Sequence, residues 1–253
     1  MCPWQEGMAS GKRSVKAAGS DLGVLVAPNA TLEEMYLAQK LARSLGSTNI
    51  DSRLRQQDFR GDASDPLLPW LGVPITELET RQAILIVGSD IRQEQPLLAH
   101  RIRKAALSNA HVALANPLRL SLNFPATQFV ASPADMLVDL AAIAKALGKR
   151  GSGSIKGLIA AASPDGDQKA TAERLKEAGA GDAALILLGG LAAAHPDYTL
   201  IKALAYLIAE AASARVGFLP AAANSMGACL AGALPHVMPG AGAAETCGMS
   251  AIE

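Results

Sequence analysis

Two glycine-containing pairs are the residues best placed to hold a ligand. Gly88-Ser89 ends the apolar run AILIV, and Gly189-Gly190 ends the run AALILL. Gly88-Ser89-Asp90 also precedes a helical pattern, and open α/β sheets bind ligands in strand-to-helix loops of this kind. Backbone amides at such a loop can take a phosphate, helped by the positive end of the helix. Asp90 opposes that use, because a carboxylate beside a diphosphate costs on the order of 1 kcal/mol or more. A turn or a helix N-cap accounts for the same three residues without any ligand.

Other chemistry-bearing residues are dispersed. GSGSIKG, residues 151–157, lacks the G-x-G-x-x-G order and lies between a predicted helix and a predicted strand, so it reads as a linker. GAGAAE, residues 240–245, has no predicted strand leading into it. The four histidines, His100, His111, His195 and His236, form no H-E-x-x-H and no pair on one helix face. The three cysteines, Cys2, Cys229 and Cys247, include no C-x-x-C. Neither set has the spacing of a zinc or iron–sulfur site, and no metal ligands are assigned. No G-x-S-x-G provides a hydrolase nucleophile, and no catalytic residue is assigned. Arg53, Arg55, Arg60 and Arg101 with Lys104 are either partner-facing basic patches or ordinary solvated surface.

The elements that must position these residues alternate. LGVLVAP, residues 22–28, predicts a strand buried on both faces. TLEE follows, with Thr31 and Glu34 spaced for a capping box. Leu32, Met35, Ala38, Ala42 and Leu45 carry a helix to Gly46. Strands are predicted from Ala83, over His111–Pro117 and over Gln128–Ser132. Helices follow from Pro96, which suits a first turn, and from Ser132-Pro133-Asp135 to Gly148. KRGSGS, residues 149–154, reads as a linker. Beyond it come a strand at 155–162, a helix at 168–178, a strand at 183–189, a helix at 197–212 and a strand at 215–220. This order predicts parallel, doubly wound, Rossmann-like α/β sheets. Residues 1–20 read as a tail or a frayed helix.

Composition narrows the function class. Half of the 253 residues are hydrophobic and only 18% are charged, enough for a large core without disulfides. Lys plus Arg and Asp plus Glu both number 23. A zero net charge argues against nucleic-acid binding and against electrostatic membrane anchoring. The longest apolar stretch, residues 183–194, is too short to span a bilayer. The cysteine usage fits a reducing cytoplasm.

Several strings, taken together, resemble the molybdopterin oxidoreductase family. Thr31–Phe59 matches a family segment through Glu33, Glu34, Tyr36, Lys40, Arg43, Gly46, Asn49, Ile50, Asp51 and Arg55. VGSDIRQEQPLLAHRIRKA, residues 87–105, is similar to the family's G-S-N-P stretch. ANPLR, residues 115–119, stands where the family has D-P-R, and AAANSMGA, residues 221–228, is similar to its G-x-N-x-x-G-A turn. The wording of the first two strings is most similar to one branch, the G subunits of bacterial NADH-quinone oxidoreductase, respiratory complex I. The resemblance covers residues 21–235.

The resemblance implies one α/β unit inserted into another: residues 21–82 plus 151–253 outside, 83–150 within. Working members hold two pterin guanine dinucleotides between such units. Here Asp90 and Ile91 replace the asparagine and proline of G-S-N-P, and Asn116 replaces the acid of D-P-R. These departures argue against molybdopterin in this chain. The branch implies a structural part of a longer subunit, with iron–sulfur clusters in cysteine-rich N-terminal domains outside this sequence. The chain stops at AIE just after an apparent helix start, as a truncated piece would. Its implied partners are those N-terminal domains and other peripheral-arm subunits, at the cytoplasmic face of the inner membrane. The isolated chain is expected to self-associate, given its positive mean hydropathy of +0.21. The alternatives are a fragment of an active molybdopterin enzyme and a free-standing nucleotide-binding domain using Gly88, Ser89, Gly189 and Gly190.

Overall fold

The structure is a computed structural model that describes residues 3–55, 57–62 and 65–252. Cys2, and Gln56 within the Thr31–Phe59 string, lie outside the described residues. The chain divides into two compact units, one formed by Met1–Leu68 with Ala222–Glu253 and the other by Pro69–Ala221. No helix among the described residues is long and apolar enough to cross a membrane.

The discontinuous unit begins with α1 (Trp4–Ala18), none of whose residues is buried. Of the two readings of residues 1–20, a tail or a frayed helix, the structure forms the helix. Strand β1 (Val24–Leu25) pairs in parallel with β2 (Ile50–Asp51) in a two-stranded sheet. The expected longer strand, buried on both faces, is not formed: Leu25 is 64% exposed. Between them runs α2 (Leu32–Ser44), whose capping box is present. Thr31 Oγ1 accepts from the Glu34 amide at 3.2 Å, and Glu34 Oε2 accepts from the Thr31 amide at 2.8 Å. Met35 and Ala42 turn inward from α2 and are fully buried.

The inserted unit contains β3 (Ala83–Val87), α3 (Ile91–Glu94), α4 (Pro96–Leu107), β4 (His111–Asn116), β5 (Thr127–Val130), α5 (Met136–Ala146), α6 (Ile155–Ala161), α7 (Gly166–Gly179), β6 (Ala184–Leu188), α8 (Gly190–Ala193), α9 (Tyr198–Ala212) and β7 (Arg215–Phe218). Its five strands are all parallel, in the order β5-β4-β3-β6-β7. Side chains alternate across the sheet. Leu85, Val87, Ala113, Ala115 and Ile186 face the core formed with α5, α7 and α9, while Ile84, Ile86, Leu114, Leu185 and Leu187 face α4. Both faces are covered, which is why the strands read as continuous apolar runs. Each fully buried Ile or Leu stabilises the fold by roughly 1.5–3 kcal/mol.

Two expectations fail against this architecture. Residues 155–162 form no strand. Ile155 and Ile159 bury one face of α6, with Leu158 and Ala162 beside them, a spacing of three and four that belongs to a helix. GSGSIKG thus lies between two helices and supplies the first turn of the second. The domain boundaries also differ. Residues 151–221 belong with 83–150, because β6 pairs with β3 along its full length, Ala83 opposite Ala184 through Val87 opposite Leu188. The ladder crosses the expected boundary at 150, and a linker composition there does not break it.

The chain then returns to the first unit with α10 (Ser225–Ala231) and a hairpin of β8 (Val237–Met238) and β9 (Gly242–Ala243). GAGAAE therefore does follow a strand, but as an antiparallel turn. Gly240 and Ala241 both take positive φ there, +80° and +56°, as short hairpin turns require. The Arg43 guanidinium holds this segment, donating to the Gly232 and Val237 carbonyls at 3.3 and 2.9 Å.

Candidate ligand crevice at the switch point of the sheet

In the five-stranded sheet the chain winds outward from β3 to β4 and β5, then returns to β6 and β7. The winding reverses between β3 and β6, and open α/β sheets bind ligands outside the carboxyl ends of strands at such a point. The loops after these two strands are Gly88-Ser89-Asp90 and Gly189-Gly190. Residues about a hundred positions apart in the sequence thus meet where a ligand would sit.

They meet by direct contact. Gly88 has φ +61°, and a Cβ on it would overlap the Ala192 amide nitrogen. The Gly88 carbonyl accepts from the Leu191 and Ala192 amides at 2.8 and 3.1 Å. A Cβ on Gly189 would overlap Ser89 and lie 2.6 Å from the Gly88 carbonyl oxygen. The glycines allow one loop to rest on the other, and backbone replaces any guest between them.

The amides of Gly88, Ser89, Asp90 and Gly189 are also engaged. The Gly88 amide donates to the Ala115 carbonyl at 2.9 Å, and the Gly189 amide to the Val87 carbonyl at 2.9 Å. Asn116, at the end of β4, is fully buried and pairs with Ser89 twice. Its Oδ1 accepts from the Ser89 amide at 2.9 Å, and its Nδ2 donates to the Ser89 carbonyl at 3.0 Å. Ser89 Oγ donates to Glu94 Oε2 at 2.7 Å, and the Asp90 amide donates to Glu94 Oε1 at 3.3 Å. The Glu94 carboxylate also sits opposite Gly190, 3.6 Å from where a Cβ would stand. A second anion about 4 Å from that carboxylate would meet repulsion of about 4 kcal/mol at an effective dielectric of 20.

The residues present therefore do not fit the diphosphate of a pterin dinucleotide at this crevice. Sequence reasoning locates Gly88, Ser89, Gly189 and Gly190 and singles out Asn116, but it misses Glu94. The repulsion expected from Asp90 is exerted by Glu94, whose contacts with Ser89 and Asp90 give it no motif spacing to recognise.

The other candidates resolve into structure. His195 is buried: its Nδ1 accepts from the Asp197 amide at 2.9 Å, so Nε2 carries the proton shared with the Pro133 carbonyl at 2.8 Å. His111 Nε2 lies 3.0 Å from Thr171 Oγ1. His236 Nδ1 lies 3.2 Å from Asp62 Oδ2, without hydrogen-bond alignment. Among the described residues no group of three or more His, Cys, Asp or Glu side chains could hold a metal ion. Cys229 is buried, and burial pushes its thiol up to about 11, whereas Cys247 is exposed. The basic residues are largely spoken for. Arg53 bonds Asp51 and Asp62 at 3.0 and 2.8 Å beneath the Phe59 ring, Arg60 bonds Asp58 at 2.8 Å, and Arg101 and Lys104 share Glu79.

Comparison with known proteins matches this fold to a family. The family model described as molybdopterin oxidoreductase matches residues 4–247. The NADH-quinone oxidoreductase G subunit of Mycobacterium bovis is 29% identical over 250 residues, covering 94% of this chain and 27% of that protein. The corresponding G subunit of Streptomyces coelicolor is 27% identical over 262 residues, covering 94% and 28%. The chain thus spans about a quarter of the length of these curated relatives. Among solved structures, a chain of the formyltransferase/hydrolase complex from Methylorubrum extorquens superposes with a TM-score of 0.54 at 14% identity, covering 90% of this chain and 63% of that one, a likeness of fold. With a family model spanning nearly its whole length, the chain belongs to the molybdopterin oxidoreductase family.

Proposed function

We propose that this chain is a structural portion of an NADH-quinone oxidoreductase G subunit, keeping the molybdopterin oxidoreductase fold without a pterin cofactor and without a catalytic site of its own. The observation that carries the reading is the closed switch point: Gly88 and Ser89 rest against Gly189, Leu191 and Ala192 where a cofactor would enter. The NADH-quinone oxidoreductase relatives supply the context. In it the chain supports electron transfer from NADH to quinone by packing beside cluster-bearing domains of the same subunit and beside neighbouring subunits, at the cytoplasmic side of the inner membrane.

The test is ligand content and ligand response of the purified protein. Anaerobically prepared protein should contain no near-stoichiometric molybdenum, and millimolar GDP should leave its melting temperature unchanged. Bound molybdenum, or a clear rise with GDP, overturns this reading in favour of an active pterin enzyme or a nucleotide-binding domain respectively.

A further inference from the structure

The two edges of the five-stranded sheet differ. β7, at one edge, is covered by the chain itself: the Phe218 amide donates to the Trp70 carbonyl at 2.8 Å, and a Cβ on Gly217 would overlap the Leu71 carbonyl. β5, at the other edge, is bare. The Ala131 amide donates to the Asn116 carbonyl at 3.3 Å, so in this parallel register Thr127 and Phe129 also turn their main-chain groups towards β4. The amides and carbonyls of Gln128 and Val130 point the other way, and they meet no partner among the described residues. The crossover from β4 is held by the Gln128 side chain, through the Leu120 amide and carbonyl, and makes no main-chain bond to β5. Native sheets protect free edges with charged side chains, proline or a covering segment. Residues 120–134 carry no Asp, Glu, Lys or Arg, Pro125 and Pro133 lie outside the strand, and Val130 is 44% exposed.

We propose that β5 is a pairing edge for a second copy of this chain, joined antiparallel about a two-fold axis at Phe129. In that register Gln128 of each copy stands opposite Val130 of the other, and each such pair exchanges two main-chain hydrogen bonds, four in all. The axis makes the contact isologous, the same patch on both copies. Charge selects this occupant. Like charges opposite one another across strands repel, and this edge brings none to face its own image. A chain of zero net charge is not held away from its copy, whereas a strongly charged partner segment would find no complementary charge here. A four-residue strand makes a small contact, so the dimer belongs to the weak, transient class.

The experiment follows the whole chain by analytical ultracentrifugation and by amide hydrogen exchange. Its average mass should climb from that of one chain, 26.0 kDa, towards twice that between about 10 µM and about 1 mM. Over the same range the Gln128 and Val130 amides should slow their exchange by about tenfold. Val130→Lys puts a charge on the exposed side of the edge; it should stay folded and remain a monomer at the top of this range. Leu37→Lys, at an exposed apolar position of α2 in the other unit, should associate as the wild-type chain does. A wild-type chain that stays monomeric throughout overturns the proposal. So does a dimer whose Gln128 and Val130 amides exchange as fast as in the monomer, because another surface then makes the contact. Association kept by Val130→Lys, or lost in Leu37→Lys, overturns it as well. If Val130→Lys fails to fold, exchange at the two wild-type amides decides alone. Each of these outcomes leaves the cofactor-free reading intact.

Discussion

The two ends of the five-stranded sheet are made by the same strands, yet one is shut and the other is open. At the carboxyl ends of β3 and β6 the loops lie against each other, with Ser89 and Asn116 fully buried. At the amino ends the loops part, and a cavity of about 840 Å³ opens between Gln82, Asn109, His111, Thr127, Arg174 and Glu177. The open end has space but no converging, buried polar groups to orient a guest: Glu79 there is taken by Arg101 and Lys104, and Arg81 donates to the Asp182 carbonyl. The closed end has the converging polar groups and no space. In this domain, room and converging polar groups lie at opposite ends of one sheet.

Glycine substitution should break this contrast most sharply. Gly88→Ala places a Cβ against the Ala192 backbone in a left-handed conformation. Clash and strain together should destabilise the chain by roughly 3–4 kcal/mol. Gly181→Ala, in the turn leading to β6 at the open end, meets only the Ala178 carbonyl oxygen at 3.8 Å and needs no positive φ. It should change stability by less than about 1 kcal/mol, in the stabilising direction. Urea denaturation of both variants checks this, and equal losses would show that the closed end is not especially tight.

Asn116→Ala should follow in size. It strands the buried amide and carbonyl of Ser89 and removes two hydrogen bonds, for a loss of about 2 kcal/mol. Gln128 near the open face of β5 makes the same double contact, with the Leu120 amide and carbonyl, at 2.8 and 3.0 Å. It is only partly buried, so Gln128→Ala should cost less. A larger loss at Gln128 than at Asn116 would contradict the burial ranking.

The smallest effect belongs to pH at the open end. Burial lowers the His111 pKa, and the Arg174 charge adds to this, with Asp167 opposing. The unfolded chain therefore binds the proton first as pH falls below about 6.5. Folded stability drops through that window, and the drop levels off once pH is below the folded pKa. His111→Gln should flatten this part of the stability profile, and an unchanged profile would assign the titration elsewhere.

Much of the fold is legible in the residues. The runs at 83–87, 112–115 and 184–188 are apolar throughout because both faces of a parallel sheet are covered, and that physics reads directly as composition. Thr31 and Glu34 specify a capping box because it is closed within one turn. Gly88-Ser89 and Gly189-Gly190 are identifiable as loop ends for the same local reason. Residues 155–162 mislead because a short apolar run fits either period, and only packing against α5 and α9 selects the helix.

What the sequence determined by itself is thus the set of elements whose stabilising contacts are local: caps, turns and the continuous runs of buried strands. What only the tertiary structure decided is which elements are neighbours. The pairing of β3 with β6 joins residues about a hundred apart, sets the unit boundary at 69–221 instead of 83–150, and brings the two glycine loops into contact. Asn116, 27 residues from Ser89, becomes its partner only through the β3–β4 ladder. These contacts depend on ladder register and chain direction, which are settled by burial summed over the whole sheet and not by any short stretch of sequence.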